Sequence, residues 1–128
     1  MNSDRIVRLN ELLTALRLEV PGTRASFLVT SDGFIIASNI GDNIDQYETG
    51  KLISSIVQKG QKFAENFLED PGTRFAVWSE KGDIQLFPLK NSTILFVLSD
   101  SDSRPGLLQL RVAKIIEIIE AVINNEDI

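Results

Sequence analysis

The chain has no cysteine and no histidine, and only one tryptophan, one tyrosine and one methionine in 128 residues. Without cysteine there is no disulfide framework, no thiolate metal site and no thiol nucleophile, a composition that suits a reducing compartment. Without histidine the commonest general base and the usual transition-metal ligand are missing, which leaves carboxylate, Lys, Ser, Thr or Tyr for any chemistry. Basic residues are scarce and scattered, with 13 Lys and Arg against 18 Asp and Glu for a net charge of -5. Nucleic acid and anionic membrane both require a dense basic face, so neither is an expected partner. No apolar run approaches the roughly 18 residues of a membrane span, so direct membrane insertion is not expected. The opening Met1-Asn2-Ser3-Asp4 lacks the basic-then-apolar pattern of a secretory signal, and a cytoplasmic location is the expectation.

What remains is ordinary globular composition, 43% hydrophobic and 24% charged. It predicts one domain over residues 1–128 that buries roughly two thirds of its unfolded surface, with frayed ends at Met1-Asn2 and from Asn124 onward. The most informative segment is Ala25-Ser-Phe-Leu-Val-Thr-Ser-Asp-Gly-Phe-Ile-Ile-Ala-Ser-Asn39. Two β-rich apolar runs are separated there by Ser31-Asp32-Gly33, and Asp-Gly tolerates the positive φ of a tight hairpin turn.

Before the hairpin, Ser3 or Asp4 is the expected cap of a helix whose Ile6, Leu9, Leu12, Leu13, Leu16 and Val20 fall within roughly 120° of arc. Pro21-Gly22 ends it, and a strand runs from Arg24 to Thr30 with Phe27 and Val29 on one face and Leu28 on the other. The return strand is expected from Phe34 to Ser38. Gly41-Asp42-Asn43 breaks it, and Asn43 or Asp45 caps a second helix reaching about Leu68. Its apolar stripe of Leu52, Ile53, Ile56, Val57, Gly60, Phe63, Ala64 and Phe67 covers roughly 140°, which is wide for docking on a sheet alone. Lys51, Ser55, Gln58, Lys59, Lys62 and Asn66 make the opposite, mildly basic side.

After Asp70-Pro71-Gly72, three strands follow as an antiparallel meander: Arg74 to Ser79, Ile84 to Leu89 and Thr93 to Leu98. Ile94-Leu-Phe-Val-Leu98 is apolar throughout, so it belongs in the middle of the sheet with both faces covered. The acidic loop Ser99 to Gly106 leads to a last helix over Leu107 to Asn124. Val20-Pro-Gly-Thr-Arg24 and Asp70-Pro-Gly-Thr-Arg74 repeat one turn chemistry and mark no duplication.

Residues that invite a catalytic or binding role have plainer explanations. Asp32 beside Ser31 and Ser38 serves the turn. The Ser99-Asp-Ser-Asp-Ser103 run lacks the glycine and distal glutamate of a calcium loop. No phosphate-cradling glycine motif occurs, so no nucleotide, cofactor or metal is expected. Arg24, Arg74, Arg104 and Arg111 are each conceivable as an arginine finger, Arg104 most readily because it lies in the acidic loop. Phe75 and Trp78 could form a ligand platform, but a buried edge strand accounts for them better.

The order α-β-β-α-β-β-β-α, with Leu28-Val-Thr-Ser-Asp-Gly-Phe-Ile-Ile-Ala-Ser38, the acidic loop and a closing helix from Pro105-Gly-Leu-Leu-Gln-Leu-Arg111, resembles the Roadblock/LC7 family. That family includes dynein light-chain Roadblock proteins and MglB-like regulators of small Ras-like GTPases. The resemblance spans about Asp4 to Val122. It implies an α+β fold: a five-stranded antiparallel sheet with helix 2 on one face and helices 1 and 3 on the other. It also implies a homodimer in which third strands pair edge to edge and second helices lie alongside each other. The residues add a reason, because an edge strand Arg74 to Ser79 with large apolar side chains is a liability unless covered. Gly60 is expected to permit close approach of a second helix.

The expected dimer interface is therefore Ile53, Ile56, Val57, Gly60, Phe63, Phe67, Phe75, Val77 and Trp78. The expected partner-binding residues are Lys51, Ser55, Gln58, Lys59, Lys62 and Asn66. The resemblance implies a non-enzymatic homodimer that binds a small Ras-like GTPase, with a GTPase-activating or modulating role. The alternative is a structural adaptor for motor or membrane-complex assembly. A third reading, a small-ligand sensor of PAS or profilin type, needs an internal pocket, and the Phe and Ile content points to a filled core and no small-molecule substrate.

Overall fold

The structure, a computed structural model, describes residues 2–40, 43–101 and 105–124. Its elements run α1 (Ser3–Glu19), β1 (Thr23–Thr30), β2 (Ile35–Ile40), α2 (Gln46–Leu68), β3 (Phe75–Ser79), β4 (Gly82–Pro88), β5 (Thr93–Ser99) and α3 (Pro105–Ile123). The strands form one sheet in the order β2-β1-β5-β4-β3, and each neighbouring pair is antiparallel. β5, apolar along its length, is the central strand, as its composition requires.

Each face of the sheet has its own core. On one, Leu9, Leu13 and Leu16 of α1 and Leu108, Val112 and Ile119 of α3 pack over Leu28, Leu95 and Val97. On the other, Ile53 and Val57 of α2 pack over Phe27, Val29, Leu86, Ile94 and Phe96. The Phe27 and Phe96 rings meet with centroids 5.3 Å apart. Strand alternation decides this division: Phe27 and Val29 face α2 while Leu28 faces α1, as the period of two dictates.

Several boundaries differ from the expectation. Asn2, and not Ser3 or Asp4, caps α1, its side-chain oxygen accepting from the Arg5 N–H. Of the two candidate caps for α2, Asp45 fills the role, accepting from the Glu48 N–H at 3.2 Å. β2 begins after Phe34, which lies in the turn with its N–H bonded to the Thr30 hydroxyl, and it continues to Ile40. β3 begins one residue later than expected. β4 begins at Gly82 and ends at Pro88, and α3 begins at Pro105 and ends at Ile123. The Gly41-Asp42 break, Asp102, Ser103 and Arg104 lie outside the described residues. Both Pro-Gly-Thr-Arg junctions place glycine at positive φ, 92° at Gly22 and 84° at Gly72, which is the shared turn chemistry.

Candidate docking face

The helix α2 is amphipathic in two steps. Gly50, Ile53, Ser54, Val57 and Ala64 face the sheet and are buried. Beside that buried stripe runs a second one, Leu52, Ile56, Phe63 and Phe67, whose exposures range from 51% at Ile56 to 73% at Phe67. Their helical spacing aligns them as one ridge. The Phe63 and Phe67 rings touch, with centroids 5.0 Å apart.

This ridge lies on the flank of α2 nearest β3. Gly60 sits between the two stripes, and the Phe75 ring of β3 lies so close that a Cβ there would stand 2.8 Å from its Cε1 atom. The glycine thus serves a contact within the chain, a role the expectation of a second helix at Gly60 did not include. Phe75 is half-buried against the α2 side of the sheet. Next along the strand, Val77 and Trp78 are 59% and 68% exposed. β3 is an edge strand with β4 on one side only. The ridge and Val77 present exposed apolar surface on the α2 side of the sheet edge, and Trp78 presents its own on the opposite side of the same strand.

The opposite edge is closed. The Ser38 N–H of β2 donates to Asn10 Oδ1 of α1 at 2.9 Å. Asn39 Nδ2 donates to the Thr14 hydroxyl at 3.0 Å, and Arg17 Nη1 donates to Asn39 Oδ1 at 3.3 Å. The β1-β2 turn is also fastened to α2. The Ser31 carbonyl accepts from the Ser54 hydroxyl and from Gln58 Nε2, and the Gly33 carbonyl lies where a Cβ on Gly50 would be.

A matching model of the Roadblock/LC7 domain covers residues 9–99, well over half of the chain. The chain belongs to the Roadblock/LC7 family. No curated protein sequence matches it. Among solved structures, Myxococcus xanthus MglB is similar at 21% identity, covering 95% of both chains with a TM-score of 0.84. The gliding protein MglB of Thermus thermophilus is similar at 15% identity, covering 95% of this chain and 93% of its own, with a TM-score of 0.86. The Roadblock/LC7 domain from Streptomyces avermitilis is similar at 17% identity, covering 89% of this chain and 96% of its own, with a TM-score of 0.82.

In this Roadblock/LC7 chain the residues expected at a dimer interface divide into two groups. Ile56, Phe63, Phe67 and Val77 are exposed on the α2 side, with Phe75 half-buried among them, and Trp78 is exposed on the other side of β3. Ile53 and Val57 are only 3% exposed and belong to the chain's own core, and Gly60 lies beneath Phe75, so these three offer little surface to a second copy. Leu52, left out of the expected interface, extends the ridge by another turn. Of the expected partner-binding residues, Lys51, Lys59, Lys62 and Asn66 are exposed and Ser55 is half-buried. Gln58, committed to Ser31 and to the Ser54 hydroxyl at 3.2 Å, is spent on the fold. The Lys51 ammonium lies 4.3 Å from the centroid of the Tyr47 ring. Hydrogen bonding and electrostatic interaction with Tyr47, with the nearby Glu48 carboxylate, raise its pKa above the ordinary lysine value.

The sites weighed for chemistry have structural partners or none of the required company. Arg24 pairs with Asp100 at 3.5 Å, and the Asp100 N–H donates to the Gly22 carbonyl at 2.8 Å, which ties the start of the acidic loop to β1. Arg74 is exposed and Arg111 half-buried. Among the described residues no three metal-ligating side chains converge, and no helix is long and apolar enough to cross a membrane. A recess of about 590 Å³ between Arg74 and Phe87 on the sheet and Gln109 and Val112 on α3 has no carboxylate among its lining residues.

Two contacts escaped sequence reasoning. Asn10 is a polar residue of α1, and nothing local reveals that it bonds to a strand 28 positions away. Gly50 did carry a signal, since a glycine inside a helix costs about 1 kcal/mol relative to alanine and calls for a packing reason.

Proposed function

We propose that this Roadblock/LC7 chain acts as a non-catalytic homodimeric docking module for a small Ras-like GTPase, in the cytoplasm. The observation that carries the dimer is the exposed apolar ridge Leu52-Ile56-Phe63-Phe67 together with exposed Val77 and Trp78 on the open β3 edge. Contiguous exposed apolar surface beside an unpaired strand is the signature of a protein contact. Two copies meeting there, with α2 beside α2, leave Lys51, Lys59, Lys62 and Asn66 of each copy on one outward platform. The GTPase partner rests on the family resemblance, and cationic side chains around that platform supply its polar rim. A module of this kind acts by favouring one conformation of its partner's switch loops, which needs differential affinity and no catalytic group of its own.

Sedimentation of the purified chain at micromolar concentration tests the first half. The wild type should run as a dimer and Phe63→Asp as a folded monomer; a wild-type monomer sinks the reading. Mixing the dimer with GTP-loaded Ras-like GTPases tests the second half. Binding that weakens in a Lys59→Glu/Lys62→Glu variant supports the platform. Recovery of elongated segments of other assemblies without any GTPase would favour the adaptor function instead.

A further inference from the structure

The open edge strand carries a pattern that is complementary to its own reverse. From Arg74 to Glu80 the residues are Arg-Phe-Ala-Val-Trp-Ser-Glu, and β3 occupies Phe75–Ser79 with Val77 at its midpoint. Alternation along the strand puts Phe75 and Val77 on the α2 side of the sheet and Ala76 and Trp78 on the other. From this arrangement, and resting on the dimer reading above, we infer that β3 pairs antiparallel with β3 of a second copy in a single register centred on Val77, locked at both ends by Arg74 opposite Glu80 of the other copy.

Three physical requirements converge on that register. For the two α2 helices to lie on the same side of a continuous ten-stranded sheet, each residue must meet one that points to the same face. Only registers centred on a residue satisfy this, because a half-step would set an α2-side residue against one from the other side. Centring on Val77 alone pairs all five residues of β3; moving to Ala76 or Trp78 leaves strand residues unpaired.

Side-chain size then agrees with the geometry. With Val77 on the axis, each large residue meets a small one: Phe75 faces Ser79 and Trp78 faces Ala76 of the other copy, while the two Val77 side chains meet each other. Cross-strand neighbours stand about 4.5–5.5 Å apart, so this alternation avoids opposing bulk. Centring on Trp78 would instead place two indoles on the axis and bring Phe75 opposite Lys81. Charge completes the case. Arg74, just before the strand, and Glu80, in the turn just after it, are both exposed and sit three residues to either side of Val77, so the register brings the same opposite charges together twice. A shift to Ala76 would set Arg74 against Trp78 and leave Glu80 without a counter-charge. The device discriminates partners as well as register, since a foreign edge lacking an acid and a base at these two places forfeits both pairs.

The absence of cysteine makes a direct test available. Single-cysteine variants Ala76→Cys, Val77→Cys and Trp78→Cys are oxidised at micromolar protein, alone and in pairwise mixtures. Val77→Cys should link to itself, because partners directly opposite lie about 4.5–5.5 Å apart, within disulfide reach. Ala76→Cys and Trp78→Cys should not self-link, since the diagonal separation is about 7–8 Å, but should link to each other when mixed. In sedimentation equilibrium, Arg74→Glu and Glu80→Arg should each weaken the dimer by about tenfold, and the double exchange should restore it to within about threefold. Self-linking at Ala76 or Trp78, or an exchange that fails to restore a dimer the wild type does form, overturns the register while sparing the dimer. A wild type that sediments as a monomer removes the dimer and the register together.

Discussion

The two edges of the sheet face the same problem and solve it differently. Both β2 and β3 have a row of backbone groups with no strand beyond them, an invitation to pair with another chain. β2 is closed from within: α1 lies beside it, Asn10 takes the Ser38 N–H, and Thr14, Asn39 and Arg17 form a polar fence. Among the described residues β3 has no such cover, and its exposed residues are Val77, Trp78 and Ser79 where a guarded edge would have lysine or proline. The comparison teaches that exposure at β3 is selective. A helix and three of its side chains are spent on one edge, and exposed apolar residues are left on the other, which is the contrast the proposed dimer explains.

The largest effect that would disturb this contrast comes from the helix that guards β2. Leu13→Ala removes a fully buried side chain of α1 and should destabilise the protomer by about 2–5 kcal/mol in urea unfolding. Amide exchange in β2 should accelerate before that in β5; equal acceleration throughout would mean that α1 does not protect the edge separately. On the β3 side, Gly60→Ala drives a methyl into the Phe75 ring and should cost about 1–2 kcal/mol of protomer stability. If it leaves unfolding unchanged but dissociates the dimer, the space over Gly60 belongs to a second copy after all.

A smaller change reopens the closed edge. Asn10→Ala leaves the Ser38 N–H without its side-chain partner and should cost about 0.5–1.5 kcal/mol. Faster exchange of that one amide, with self-association through β3 unchanged, would sharpen the division between the edges. The smallest effect on the protomer is expected from Val77→Lys, within about 0.5 kcal/mol because the side chain is exposed. Placing on β3 the kind of residue that blocks natural edges should nonetheless yield a monomer by sedimentation.

Much of the fold was legible because its signals are local. Asp32-Gly33 marks the hairpin, two Pro-Gly pairs mark helix-to-strand junctions, and the unbroken apolar run Ile94–Leu98 marks the central strand. The helix caps were less legible, because Asn2, Ser3 and Asp4 are all competent N-caps and the choice among them depends on how the first turn meets the core. The candidate docking face was legible only as a stripe too wide for one sheet. Which part of it faced inward was decided by tilt and rotation of α2 on the strands, and these follow from contacts such as Gly50 against Gly33 that join distant residues.

The order of elements, the alternation of each strand and the surplus of apolar residues on α2 and β3 follow from the sequence itself, since each depends on spacing along the chain and on intrinsic turn geometry. The tertiary structure alone decided that Ile53 and Val57 turn inward while Leu52 and Phe63 turn outward. It alone decided that Phe75 fills the space over Gly60 and that Asn10 closes β2 while β3 stays open. Those outcomes depend on close packing between segments far apart in the chain, where a rotation of one helix by a fraction of a turn exchanges core for surface.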